Sequence, residues 1–237
     1  MAAEQTSSHL ANVRDLGGVA LSLRNGVLVR ADAPAQGDVA PQGIEPWPPA
    51  TVVDLRGPAE KGRPHGLGDV ATIVDVEVLA QAHLTGEQAR ETLESLDALY
   101  MEMTQGQAAT ALVAAVEVLA TAQAPVLFHC SVGKDRTGVL AALVEALVGV
   151  ERDAIIADYT ATGPHMQAVI GRMMAGVRPE FAQAALASVP PEVFEAPAHA
   201  IEAVLDRWDR EGGVEQWYFA HGGTESVLVA LRERLLG

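Results

Sequence analysis

Residues 126–138 read Val126-Leu-Phe-His-Cys130-Ser-Val-Gly-Lys-Asp-Arg136-Thr-Gly138, and this stretch decides the fold. Pro125 introduces Val126-Leu127-Phe128-His129, a run short and apolar enough for a buried strand. A turn containing Gly133 follows, then a helix expected from about Arg136 to Leu147 and closed by Gly149. A buried strand feeding a helix through a tight turn is the repeating joint of an α/β sheet.

The pattern extends in both directions. Val19–Leu23 and Val27–Arg30 are short apolar runs around Arg24-Asn25-Gly26, which predicts a hairpin. A Pro- and Gly-rich loop runs from Pro34 to Pro49. Thr51-Val52-Val53-Asp54-Leu55 suits a strand buried on both faces. The loop Gly57–Gly68 carries Lys61, Arg63 and His65, and Val70–Leu79 holds a further strand. Helices are expected over 85–104, 107–122, 151–162, 164–175, 197–210 and 224–236, with Gly212-Gly213 and Gly222-Gly223 as punctuation. Strands alternating with helices predict an α/β fold with a mainly parallel central sheet flanked by helices, and a helical C-terminal part. The length of 237 residues and the lack of a long linker predict one domain. Segments 85–104 and 164–187, with Met101, Met103, Met166, Met173 and Met174, either pack into the core or cover the site as helical lids.

The charge balance narrows the partners. With 31 acidic against 16 basic residues, the net charge is -15. That argues against general nucleic-acid or anionic-membrane binding. No apolar run is long enough for a transmembrane helix, so no stable membrane insertion is expected. Met1–Leu10 carries Glu4 and lacks an apolar core, which points to a cytoplasmic protein, while export without a signal peptide stays open. A single cysteine, Cys130, excludes an intrachain disulfide and a multi-cysteine zinc site. The histidines show no metal-ligand spacing; no metal and no cofactor is expected. Oligomeric state is left open.

The chemistry sits between strand and helix. Backbone N–H groups of a loop entering a helix, together with the helix dipole, form an anion cradle. Gly133 allows the tight path. The Arg136 guanidinium offers a planar fork for two phosphate oxygens. The same positive field favours the Cys130 thiolate. A thiolate under a bound phosphate is placed for in-line attack on phosphorus, giving a phosphocysteine that water hydrolyses.

This segment resembles the Cys-x5-Arg phosphatase loop of the protein-tyrosine-phosphatase superfamily. It is most similar to the bacterial and fungal tyrosine phosphatases also called atypical lipid phosphatases, whose loop reads His-Cys-x-x-Gly-Lys-Asp-Arg-Thr-Gly. Asn12-Val-Arg-Asp-Leu-Gly-Gly18, Val53-Asp-Leu-Arg56 and Ile156-Ala-Asp158-Tyr159-x-x-Thr162 match further segments of that family. The C-terminal part matches in helical character and in the segment 212–218. The resemblance implies Cys130 as nucleophile, Arg136 as phosphate clamp and the backbone of Ser131, Val132, Gly133, Lys134, Asp135 and Arg136 as the phosphate seat. It implies that Thr137 assists the thiolate as leaving group and that His129 holds the loop. Lys134 is typical of members that also accept phosphoinositides, and an extra ammonium suits a substrate with several phosphates.

The general acid has several candidates. Asp135 lies inside the loop and is the family's proposed acid, with loop-holding as its alternative role. Asp97 lies 33 residues before Cys130, but its neighbours read as an amphipathic helix with a solvated face. Asp54 ends a strand at the usual binding edge, or pairs with Arg56 or Arg14. Asn12, Arg14 and Asp15 read as a structural clasp before a Gly-Gly turn, and His199 and His221 as surface or satisfied core residues.

The leading expectation is therefore a cysteine-dependent phosphatase acting on phosphotyrosine protein, with dual-specificity or phosphoinositide activity as further options. The alternative is a phosphate-binding module without turnover. Rhodanese or arsenate reductase chemistry fits less well, because the Arg-Thr-Gly helix start suits a phosphatase and no second cysteine is present to resolve an intermediate. A reactive lone thiolate is expected to be inactivated by peroxide through sulfenic acid or a backbone sulfenamide.

Overall fold

The computed structural model describes residues 9–61, 64–79, 96–175, 177–178 and 194–237. Five strands form one sheet: β1 (Arg14–Asp15), β2 (Leu28–Ala31), β3 (Thr51–Asp54), β4 (Thr72–Asp75) and β5 (Val126–His129), in the order β1-β2-β5-β3-β4. Only β1 runs antiparallel to its neighbour; the other pairings are parallel. β5 sits at the centre. Phe128 pairs with Arg30 on one side and Val53 on the other, and His129 with Ala31 and Asp54. The continuous apolar runs of β3 and β5 follow from this position, since both faces are covered.

Alternation along the strands divides the core. Leu28, Val53 and Phe128 face a helical layer, whereas Val29, Val52 and Leu127 face a smaller cluster with Leu10, Ile44 and Leu67 from loops. The helical layer contains α1 (Leu96–Met103), α2 (Gly106–Thr121), α3 (Asp135–Leu147), α4 (Arg152–Thr160), α6 (Ala198–Arg210), α7 (Val214–Ala220) and α8 (Glu225–Leu236); α5 is Met166–Met173. α3 follows β5 directly and is buried along nearly its whole length, which fixes the loop before it. No described helix is long and apolar enough to cross a membrane.

Three local expectations are corrected. Val19–Leu23 is not a strand: Leu16–Gly18 forms a 3-10 turn and Leu23 N–H closes a further turn on Ala20 O. The reason lies in Asp15, whose carboxylate accepts from Gly17 N–H and Gly26 N–H and folds the intervening segment into a closed loop. The strand partner of β2 is thus Arg14–Asp15. α7, between the two Gly-Gly pairs, was not expected as a helix. It buries Trp217 and Tyr218, and Trp217 Nε1–H donates to Thr104 O at 3.0 Å. The expected strand over 70–79 is confined to Thr72–Asp75. Expected helix or lid residues 85–95 and 179–187 lie outside the described residues, as does 176.

Candidate active site

Cys130 follows β5 and is 1% exposed. From His129 to Lys134 every backbone carbonyl is engaged. His129 O accepts from Leu55 N–H at 2.9 Å, Ser131 O from Ala33 N–H at 3.1 Å and Lys134 O from Gly138 N–H at 2.7 Å. Cys130 O accepts from His129 Nδ1 at 2.7 Å. Asn12 Nδ2 donates to Val132 O at 3.2 Å and to Gly133 O at 3.1 Å, and Arg30 Nη2 reaches Gly133 O at 3.1 Å. By contrast, the N–H groups of Ser131, Val132, Gly133, Asp135 and Arg136 donate to no acceptor among the described residues. Carbonyls tied to the outside leave the amides for the inside, which is how a backbone builds an anion seat. Gly133 makes the path possible: its φ is +71°, and a Cβ there would lie 2.5 Å from Ala31 O.

The arginine side is organised by a residue the sequence reading missed. Glu60, from the 3-10 turn Pro58–Glu60, grips Arg136 end-on. Nη1 donates to Oε2 and Nη2 to Oε1, both at 2.6 Å, while Ser131 Oγ donates to Oε1 at 2.7 Å. A guanidinium has five N–H groups. The end-on grip leaves the side made by Nε and Nη2 for a second bidentate partner. Burial opposes the charge on Glu60, but Arg136 and Ser131 outweigh it and bring its pKa down to about 2. Glu60 raises the Arg136 pKa in turn, again against burial. Opposite charges far apart in sequence give no local signal, so only the fold reveals the pair.

Behind the cysteine lies an imidazole relay. A carbonyl only accepts, so His129 Nδ1 carries the proton given to Cys130 O. His129 Nε2 then accepts from His65 Nε2 at 2.9 Å, and His65 Nδ1 accepts from Leu67 N–H at 3.1 Å. Complete burial pushes His129 down to about 3, despite Asp54 nearby, so the ring is neutral at working pH. Asp54 is committed to Arg56, with Nε–Oδ1 at 2.9 Å and Nη2–Oδ2 at 2.8 Å; burial opposes its charge but Arg56 holds it at about 2. Asp54, His65 and His129 are close enough to be metal ligands. Yet a metal on His65 Nε2 would place a proton on Nδ1, facing the Leu67 N–H, so this arrangement suits hydrogen bonding better than a metal.

Asp135 opens α3. Its Oδ1 accepts from Tyr100 Oη at 2.9 Å and lies 3.5 Å from Lys134 Nζ. Lys134 itself is buried, with Nζ donating to Glu195 O at 3.1 Å. Thr137 is buried, and its hydroxyl has no hydrogen-bond partner among the described residues. Asp97 is on the exposed side of α1, 3.5 Å from the equally exposed His199.

A buried charge cluster backs the loop. Asp158 receives Arg14 Nε at 2.5 Å and also pairs with Arg30 Nη1. Arg14 additionally donates to Asn12 Oδ1 and Thr162 Oγ1. Burial and the neighbouring Asp158 raise the Glu145 pKa at the edge of this cluster, while the two arginines lower that of Asp158 against its burial. The Asn12, Arg14 and Asp158 segments thus meet under the loop; Arg30 and Glu145, hidden in apolar runs, were not anticipated.

In front, a groove of about 1230 Å³ is lined by Arg56, Glu60, His65, Ser131, Arg172 and Met173. α5 forms one wall, fixed by Arg172, which pairs with Asp32 and Asp38 at 2.8 Å. Met103 and Met166 are buried, whereas Met173 faces the groove.

The sequence profile of the tyrosine phosphatase family matches residues 6–237. The triple specificity protein phosphatase PtpB of Mycobacterium tuberculosis is 32% identical over 199 residues, covering 69% of this chain and 71% of that protein. A Cupriavidus necator protein that carries the name tyrosine-protein phosphatase is 33% identical over 162 residues, 63% of this chain and 59% of the relative. A loop whose carbonyls are engaged beside a clamped arginine agrees with a match along nearly the whole chain: this protein is a phosphatase and belongs to the tyrosine phosphatase family.

Proposed function

We propose that the protein hydrolyses phosphotyrosine on proteins through a phosphocysteine on Cys130, without a metal. The observation that carries this is the set of engaged carbonyls from His129 to Lys134 set against the Ser131, Val132, Gly133, Asp135 and Arg136 amides, which donate to no acceptor among the described residues. Those amides and the open side of Arg136 bind the phosphoryl oxygens. The Cys130 thiolate attacks phosphorus, the S–P bond forms as the P–O bond to tyrosine breaks, and Asp135 protonates the departing oxygen. Water then attacks phosphocysteine, Asp135 takes its proton, and phosphate leaves with the thiolate restored. His129 and Thr137 support the cysteine.

The placement of Lys134 weakens the phosphoinositide reading that its presence in the loop suggested. Its ammonium is turned to the Glu195 carbonyl, and the net charge of -15 repels an anionic lipid surface. The Mycobacterium relative's name, with its triple specificity, makes a three-way substrate panel the decisive experiment. Phosphotyrosine peptide is expected to show the highest kcat/KM, ahead of phosphoserine peptide and phosphoinositide. Activity should persist in chelator, be blocked by vanadate and disappear in Cys130→Ser. Turnover by Cys130→Ser, or phosphopeptide binding without phosphate release, overturns the reading.

A further inference from the structure

We propose that Tyr100, braced by Tyr159, is a positioning residue that assigns the transferable proton of Asp135 to its Oδ2 oxygen. This rests on the reading of Asp135 as the general acid.

Tyr100 projects from α1 and Tyr159 from α4, and both are buried, at 0% and 1% exposure. Their rings meet edge to face with centroids 5.9 Å apart, and their hydroxyls are 2.7 Å apart. Tyr100 also lies 2.9 Å from Asp135 Oδ1. A phenol has one proton to give. An ionised carboxylate only accepts, so Tyr100 gives its proton to Asp135 and must receive one from Tyr159. The direction is fixed: Tyr159 to Tyr100 to Asp135 Oδ1. Lys134 Nζ approaches the same oxygen, at 3.5 Å. Both neighbours thus occupy Oδ1, and Oδ2 makes no hydrogen bond among the described residues.

When Asp135 takes up a proton, Oδ1 is still receiving the Tyr100 hydroxyl. The acid proton therefore resides on Oδ2. As the thiolate forms its bond to phosphorus and the P–O bond breaks, that proton passes to the departing oxygen, leaving Asp135 as the carboxylate. Burial makes both phenols harder to ionise, which keeps the donor chain intact at alkaline pH.

The test is the dependence of kcat/KM on the leaving group, measured on the full chain with phenyl phosphate and 4-nitrophenyl phosphate. Phenolate needs protonation to depart; 4-nitrophenolate needs little. General acid catalysis contributes roughly 10²–10⁴-fold. Tyr100→Phe is expected to lower the phenyl phosphate value about tenfold or more, and the 4-nitrophenyl value by less than about twofold. Tyr159→Phe, which keeps the ring packing, should give the same selective pattern at smaller size. An equal loss on both substrates, or none, in both tyrosine variants overturns the proposal and marks the pair as packing residues. Asp135→Asn separates the two readings. If it loses phenyl phosphate selectively while both tyrosine variants do not, only the brace fails. If Asp135→Asn shows no selectivity, the assignment of the acid fails, and the brace with it.

Discussion

Glu60 holds Arg136 by its end and leaves its side open. The two hydrogen bonds of 2.6 Å orient the guanidinium, and the Nε–Nη2 side faces away from the carboxylate that grips it. Phosphate therefore has no need to displace Glu60. Glu60→Ala should leave the clamp free to rotate and lower kcat/KM for an aryl phosphate by about tenfold or more, roughly 1.4 kcal/mol. Glu60→Gln, which keeps one acceptor, should lose less. A gain of activity in Glu60→Ala would instead identify the carboxylate as a competitor for the phosphate seat. Steady-state kinetics and vanadate inhibition constants decide.

Asn12 shapes the seat from a distance. Its amide ties down two adjacent carbonyls, Val132 O and Gly133 O, from beneath. Asn12→Ala removes both bonds, and one of the peptide units is then free to turn its amide outward. The expected result is a fall in kcat/KM of about tenfold with a smaller change in unfolding midpoint, a single lost hydrogen bond being worth about 1 kcal/mol. Asn12→Asp, which sets a carboxylate against two carbonyls, should be worse than Asn12→Ala.

Arg30 tests the buried cluster. It is 0% exposed and shares Asp158 with Arg14. Arg30→Met fills the space but strips one cation from a carboxylate that is itself only 8% exposed. Breaking a buried pair costs about 3–5 kcal/mol. Urea unfolding should show a loss of that order, and Arg30→Met with Asp158→Asn should recover part of it. Equal stability of Arg30→Met and wild type would remove the cluster from the structural account.

Acid should unfold the protein in a range set by His129. Its folded value of about 3 lies below the ordinary imidazole value of 6.5, so between those limits the unfolded chain binds a proton the folded chain refuses. The His129 contribution is complete above pH 6.5 and falls as pH drops toward 3, by at most ~1.4 kcal/mol per pH unit for one proton. Asp54, held at about 2 against 3.8, acts in the same direction lower down. Urea midpoints at pH 7.5, 6, 5 and 4 should decline, and His129→Asn, which retains a donor for Cys130 O, should flatten the decline. A midpoint independent of pH from 7.5 to 4 contradicts the buried neutral ring.

The central part of the fold was legible because its signals are local. Thr51–Asp54 and Val126–His129 are short strands built on Val52-Val53 and Val126-Leu127-Phe128, and the turn into α3 carries its own glycine. The loop from Cys130 to Arg136 could be singled out as the candidate site for the same reason. What escaped depends on distance. Glu60 meets Arg136 from 76 positions away, and Arg30 sits in a strand whose apolar neighbours disguise it. The hairpin at Asn25-Gly26 failed because Asp15 captures two amides and bends the chain before it can extend. α7 gave no clear signal because its seven residues, closed in by two Gly-Gly pairs, are too few to show a helical period.

The Asn12 contact spans 120 residues and the Arg30 contact with Asp158 spans 128. On a chain emerging from the ribosome, the phosphate loop therefore arrives before the last of its supports. Contacts of such long sequence separation form only after the loop-closure entropy has been overcome. A nascent chain shorter than residue 158 has Cys130 and Arg136 but no counter-ion to seat Arg14 and Arg30 beneath them. The support beneath the loop is therefore complete only once residue 158 has joined the fold.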